Sequence, residues 1–189
     1  MILWTRWHDT PWRYCRVPPE WFAEAEREAH RRREFQRTLG ATPLFQTDPT
    51  LNELTGLLGE KAAASLFSTT IDTELRPGGD GGVDLRVGPL QIDVKTRRLA
   101  RIPRPDDRLM VPDPQMRKLQ DGLILLAMAW VQPLGWMFCL GWEGSTEFKN
   151  GALRWLDAPA CPCHYLEYST LRGLTELNDL ITHLMVEAL

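Results

Sequence analysis

Apolar and polar positions alternate from Val83 to Lys95. Val83, Leu85 and Val87 interleave with Asp84 and Arg86, while Leu90, Ile92 and Val94 interleave with Gln91, Asp93 and Lys95. A period of two predicts a pair of short strands, each with one apolar and one polar face. Gly88-Pro89 interrupts the pattern and suits a two-residue type II′ loop. Such a loop fixes the register: Val87 faces Leu90, Arg86 faces Gln91, and Asp84 faces Asp93. Directly opposed side chains stand about 4.5–5.5 Å apart at Cβ, and Lys95 shares a face with Asp93. The hairpin therefore groups two carboxylates and an ammonium.

The same reading assigns the rest of the chain. Pro19 to Thr38 predicts a helix with glutamates early and arginines late, an order that complements the helix macrodipole. Residues 41–49 form a linker, and a second helix follows from Thr50 to Phe67 with Leu54, Leu57, Leu58 and Ala62 on its apolar face. Ser68 to Arg76 is rich in β-branched residues and predicts a strand. The glycine-rich run 77–82 leads into the hairpin, with Asp80 either holding the turn or adding an oxygen ligand. Asp113-Pro114 suits the start of a short helix reaching Gln120. Gly122–Trp130 predicts a central strand buried on both faces, with Gly135–Trp142 its antiparallel neighbour. Residues 143–163 show little pattern, and 171–189 predict an amphipathic terminal helix. The fold class is α/β, with a mixed central β-sheet flanked by helices. Three regions are expected: an aromatic and basic arm with a charged helix (1–49), a core (50–145), and an irregular segment with a helix packed on that core (146–189).

Length and charge refine this picture. The chain has 189 residues, 43% hydrophobic, enough for one domain with a substantial core. Its net charge of −3 does not announce a nucleic-acid binder, so any such role depends on local charge. The uncharged run 122–142 has the length of a membrane span, but Gln132-Pro-Leu-Gly135 divides it into two pieces of strand length. No membrane association is expected. The four cysteines are too few and scattered for a disulfide framework and fit a reducing cytoplasm. The first residues carry no apolar run of the secretory type. Cys161-Pro-Cys163-His164 lacks a second ligand pair at zinc spacing.

Two opposed carboxylates repel, and a hard divalent cation would offset that cost. The set Asp84 with Asp93-Val94-Lys95, on a hairpin that follows a helix carrying Glu60, resembles the signature of the PD-(D/E)XK nuclease superfamily. Val83 stands where that signature nominally has proline. The resemblance implies a restriction-endonuclease-like core and a Mg²⁺-dependent DNA nuclease, with Mn²⁺ as a substitute. It implies that Asp84, Asp93, the Val94 carbonyl and Glu60 form the metal shell, and that Lys95 holds the attacking water and stabilises negative charge. Some exonuclease-like members carry glutamine with tyrosine four residues later. Gln115 has Leu119 at that spacing, so this subfamily pattern is incomplete here. Restriction-type endonuclease, Holliday-junction resolvase and exonuclease remain open, and junction cutting would require a homodimer.

The basic run after the hairpin, with Arg97, Arg98, Arg101 and Arg104, is the expected DNA-contacting rim. The alternative is a solvated loop balanced by Asp106 and Asp107. The tryptophans and arginines of residues 1–19 admit two roles, stacking on bases or packing over the core. The arginine cluster of the first helix is either a phosphate-contacting face or a solvated helix end. A non-catalytic DNA-binding or structural module, its hairpin acids paired with neighbouring cations, is the competing class.

Overall fold

The computed structural model describes residues 2–40, 48–71, 73, 82–156 and 161–187. The alternating segment forms a hairpin: β3 (Leu85–Val87) and β4 (Leu90–Leu99) pair antiparallel, with Leu85 opposite Ile92, Arg86 opposite Gln91 and Val87 opposite Leu90. This is the register set by a two-residue loop. Gly88 carries the positive φ, +56°, that the loop requires.

β4 is the pivot of a six-stranded mixed sheet. It pairs in parallel with β6 (Ile124–Val131), which pairs antiparallel with β7 (Trp136–Gly144). Every residue of β6 is buried. Its two faces feed different cores: Leu126, Met128 and Trp130 point to one side, Leu125, Ala127 and Val131 to the other. The uncharged run 122–142 is thus two strands and a turn, as the proline and glycine imply. Among the described residues no helix is long and apolar enough to cross a membrane.

α1 (Pro19–Thr38), α2 (Pro49–Leu66) and α5 (Leu174–Glu187) cover one face of this sheet through Ala25, Ala29, Leu57, Leu58, Ala62 and Leu177. Asp48 caps α2, its carboxylate accepting from the Thr50 and Leu51 amides at 3.0 and 3.2 Å. The opposite face is covered by α4 (Ser145–Gly151) through Phe148 and by a second, three-stranded sheet of β5 (Arg108–Pro112), β9 (Cys163–Glu167) and β8 (Leu153–Trp155). α3 (Asp113–Met116) follows β5 directly and ends earlier than predicted.

Three regions depart from the sequence reading. The N-terminal arm forms β1 (Thr5–Arg6) and β2 (Arg13–Arg16), and β2 extends the main sheet beside β7. Trp7, Tyr14, Trp136 and Phe138 make edge and stacked contacts there, and Trp12 is buried. These rings pack on the core. Residues 108–112, 153–155 and 163–167 form the second sheet, in parts of the chain to which the sequence reading assigns no strand. Of the strand expected over Ser68–Arg76, the described positions 68–71 and 73 are not in a strand. The remainder lies outside the described residues, as do Asp80 and most of the glycine-rich run.

Candidate functional site

β3 stops pairing at Leu85, so from Asp93 onward the outer edge of β4 has no strand beside it among the described residues. Asp84 sits just before β3. Its amide still donates to the Ile92 carbonyl at 2.9 Å, and its Oδ2 accepts from the Val94 amide at 2.6 Å. The carboxylate continues the ladder that the backbone abandons. Asp93 is 4% exposed, with Oδ2 2.8 Å from the Lys95 ammonium. Lys95 also donates to Gln115 Oε1 at 3.1 Å. Asp93 and Lys95 share a face because they are two residues apart on one strand.

These groups line a cleft of about 570 Å³ whose walls include Glu60, Asp84, Asp93, Lys95, Gln115 and Lys118. Four of the residues expected at the site, Glu60, Asp84, Asp93 and Lys95, converge here, together with Val94. Glu60 enters from α2. That helix lies very close on β4: a Cβ on Gly59 would stand 1.8 Å from Thr96 Oγ1. Only glycine allows the approach that brings Glu60 to the strand edge.

Each acid has a partner within the chain. Arg32 of α1 reaches both Glu60 oxygens, at 3.3 and 3.2 Å, and Glu60 is only 7% exposed. Burial opposes charge on Arg32, but the Glu60, Glu53 and Glu28 carboxylates outweigh it and leave the guanidinium pKa raised. The expected offset to carboxylate repulsion is thus supplied in part by the Val94 amide, the Lys95 ammonium and Arg32. Among the described residues no group of three or more His, Cys, Asp or Glu side chains forms a metal cage. Asp84 and Asp93 are the two hairpin acids of the cleft that could hold a hard cation; Mg²⁺ is commonly held through one or two carboxylates while keeping several waters. Such a set, with an ammonium beside it, can bind a hard cation, orient a water and stabilise negative charge developing nearby.

The basic residues divide. Arg97 lies two residues beyond Lys95, its Nη1 3.4 Å from the Arg108 carbonyl. Arg98 is exposed and reaches Gln132 at 3.4 Å. Arg101 is bound to Asp107 by two bonds of 2.7 and 2.8 Å, and the Arg104 amide donates to the same carboxylate at 2.8 Å. Arg101 therefore staples its loop, and the exposed Arg104 side chain lies on that loop. His164 and Arg154 both contact Asp113. The four cysteines are free, and burial raises the Cys15 and Cys139 thiols to about 12.

The sequence does not single out Lys118, and it marks Arg32 and Arg108 only as members of a helix arginine cluster and of the basic run after the hairpin. Arg32 stands four residues after Glu28, which signals a pair along one helix and hides its longer reach. Comparison of the chain with family models, with curated proteins and with solved structures finds no match.

Proposed function

We propose that this chain is a Mg²⁺-dependent DNA nuclease of the PD-(D/E)XK type, with a restriction-endonuclease-like core. One observation carries the reading: Asp84, Asp93 and Lys95 converge with Glu60 on a single cleft at the open edge of β4. The order of elements supports it, a helix bearing the first acid, a hairpin bearing two acids and a lysine, a short helix, then a strand parallel to the second hairpin strand.

When bound, Mg²⁺ supplies Lewis acidity and a water of lowered pKa. Asp84 and Asp93 would hold it. Lys95 stands beside Asp93, placed to orient the attacking water and to stabilise charge on the phosphoryl oxygens. Gln115 fixes the Lys95 ammonium. Arg32 fixes Glu60, which serves as an outer acid of the site.

A second reading, a non-catalytic DNA-binding module, draws on the fact that Glu60, Asp93 and Asp84 each have a partner in the chain. One experiment separates the two. Plasmid, single-stranded and four-way-junction DNA are incubated with the protein in Mg²⁺, Mn²⁺ or EDTA, alongside Asp84→Asn and Lys95→Ala. Metal-dependent cleavage that disappears in both variants supports the nuclease; binding without cleavage in any metal supports the module.

A further inference from the structure

A second cleft, of about 430 Å³, opens on the far side of Lys95. It shares Val94, Lys95 and Gln115 with the acidic cleft, so the two are continuous along the β4 edge. One wall is β4 with Thr96 and Arg97; the other is the second sheet, with Arg108, Met110, Trp155 and Cys163. Alternation explains that wall. Leu109 and Val111 of β5 point into the core, which turns Arg108 and Met110 outward. Three cations line this cleft, Lys95, Arg97 and Arg108, and among the described residues no carboxylate does.

The aromatic content is arranged as a platform. The Arg108 guanidinium lies 4.7 Å from the Trp155 ring centroid and 4.2 Å from that of Tyr165. A guanidinium held against rings presents a flat, weakly hydrated cationic surface. Arg97 bonds to the Arg108 carbonyl, which ties β4 to the second sheet beside the cleft. Flat aromatic and guanidinium surfaces beside the Lys95 and Arg97 cations match an unstacked base with its flanking phosphates. A paired base in a duplex cannot present its face to such a slot.

From this we infer that the second cleft takes one unpaired nucleobase of single-stranded DNA, laid against the Trp155–Arg108 platform with its phosphates at Arg97 and Lys95. The inference rests on the DNA-directed reading of the neighbouring cleft and narrows its substrate to strands with an unpaired nucleotide at the site. Lys95 joins the two clefts, so a base seated in one delivers the adjacent phosphate towards the acids of the other.

The test is binding, measured in EDTA so that no cleavage is needed. Fluorescence anisotropy of a labelled short oligothymidylate and of a blunt duplex is followed with wild type, Trp155→Ala, Trp155→Phe and Arg108→Gln. Trp155→Ala should weaken single-strand binding roughly tenfold or more. Trp155→Phe should restore most of that loss, and no variant should change duplex affinity. An oligonucleotide of abasic sites should bind wild type and Trp155→Ala alike. Arg108→Gln leaves the aromatic pair in place and should reproduce the single-strand-selective loss even if Trp155→Ala folds poorly. Equal losses for single strand and duplex, no change on either substitution, or no single-strand binding by wild type would each overturn the inference. Single-strand binding that depends on Trp155 without cleavage in any metal would leave it standing and remove the nuclease reading.

Discussion

The two clefts beside Lys95 are cut from the same strand yet differ in charge. One brings Glu60, Asp84 and Asp93 against Lys95 and Lys118; the other holds Lys95, Arg97 and Arg108, with no acid among the described residues of its lining. Asp93, Lys95 and Arg97 occupy alternate positions on one face of β4, so the sign of the field reverses over roughly 13 Å. Such a gradient suits a ligand that carries regular negative charge and must place one charge among carboxylates. The acidic side needs a cation to accept a phosphate; the basic side needs only the phosphate itself.

Lys95 belongs to both clefts, so its removal should have the largest effect. Lys95→Ala is expected to reduce metal-dependent cleavage by about a hundred- to a thousandfold, the scale for loss of one group stabilising transition-state charge. It also leaves Asp93 buried without its ammonium. Magnesium should therefore raise the unfolding temperature of Lys95→Ala more than that of wild type, because the ion replaces the missing charge. Equal thermal shifts in the two proteins would separate Asp93 from the metal site.

Arg32 touches the acidic side alone. Arg32→Ala leaves the Glu60 carboxylate, 7% exposed, without its guanidinium. Removing one partner of a buried pair costs about 3 kcal/mol or more, measurable by denaturant unfolding. Glu60→Gln in the Arg32→Ala background should recover part of that loss. Single-strand binding at the other cleft should not change, which would show that the two sides are energetically separable.

Gly59 supports the wall common to both. Alanine in a helix interior gains up to about 1 kcal/mol over glycine. Here its Cβ would lie 1.8 Å from Thr96 Oγ1 and 2.8 Å from Thr96 Cβ. Overpacking of this kind costs about 1–3 kcal/mol, so Gly59→Ala should destabilise the protein and widen both clefts together. Thr96→Ala alone should be close to neutral in thermal unfolding, since the Thr96 hydroxyl is buried without a hydrogen-bond partner.

The contrast between the clefts also marks what the sequence carries. Glu60 is picked out on α2 through the family resemblance, whereas the hairpin, its register, α1, α2, β6 and β7 follow from local periodicity, and with them the grouping of Asp84, Asp93 and Lys95. Those residues act through neighbours that alternation and helical spacing specify. The second cleft depends on β5, β8 and β9, whose pairing joins residues 108–112 and 153–155 to 163–167, with a pair of long strands intervening in the chain. β8 has three residues, its own Leu153 is exposed and so is Leu156 just after it, so no period-two pattern marks it. Arg101 shows the same limit. Its place in a basic run suggested a rim, while its bidentate bond to Asp107 is set by how the loop closes.

Asp107 gives the smallest expected effect and the sharpest check on that division. It is buried, which raises its pKa, yet the Arg101 guanidinium and the Arg104 amide outweigh burial and hold it below the ordinary carboxylate range. A carboxyl whose folded pKa is depressed adds stability that is complete above its unfolded pKa, about 3.9, and is lost as pH falls through the folded value. Asp107→Asn should therefore cost about 1 kcal/mol at neutral pH, a modest figure because Arg101 is half exposed. The gap from wild type should close as pH falls below about 4. The Asp107 carbonyl also accepts from the Tyr168 amide at 2.8 Å, so the same residue ties the loop to the floor of the basic cleft. Arg101→Ala should reproduce the stability profile and leave single-strand affinity unchanged, because the proposed phosphate contacts in the cleft are Arg97 and Lys95. A drop in affinity on Arg101→Ala, with stability intact, would move the basic surface from the cleft back to the loop.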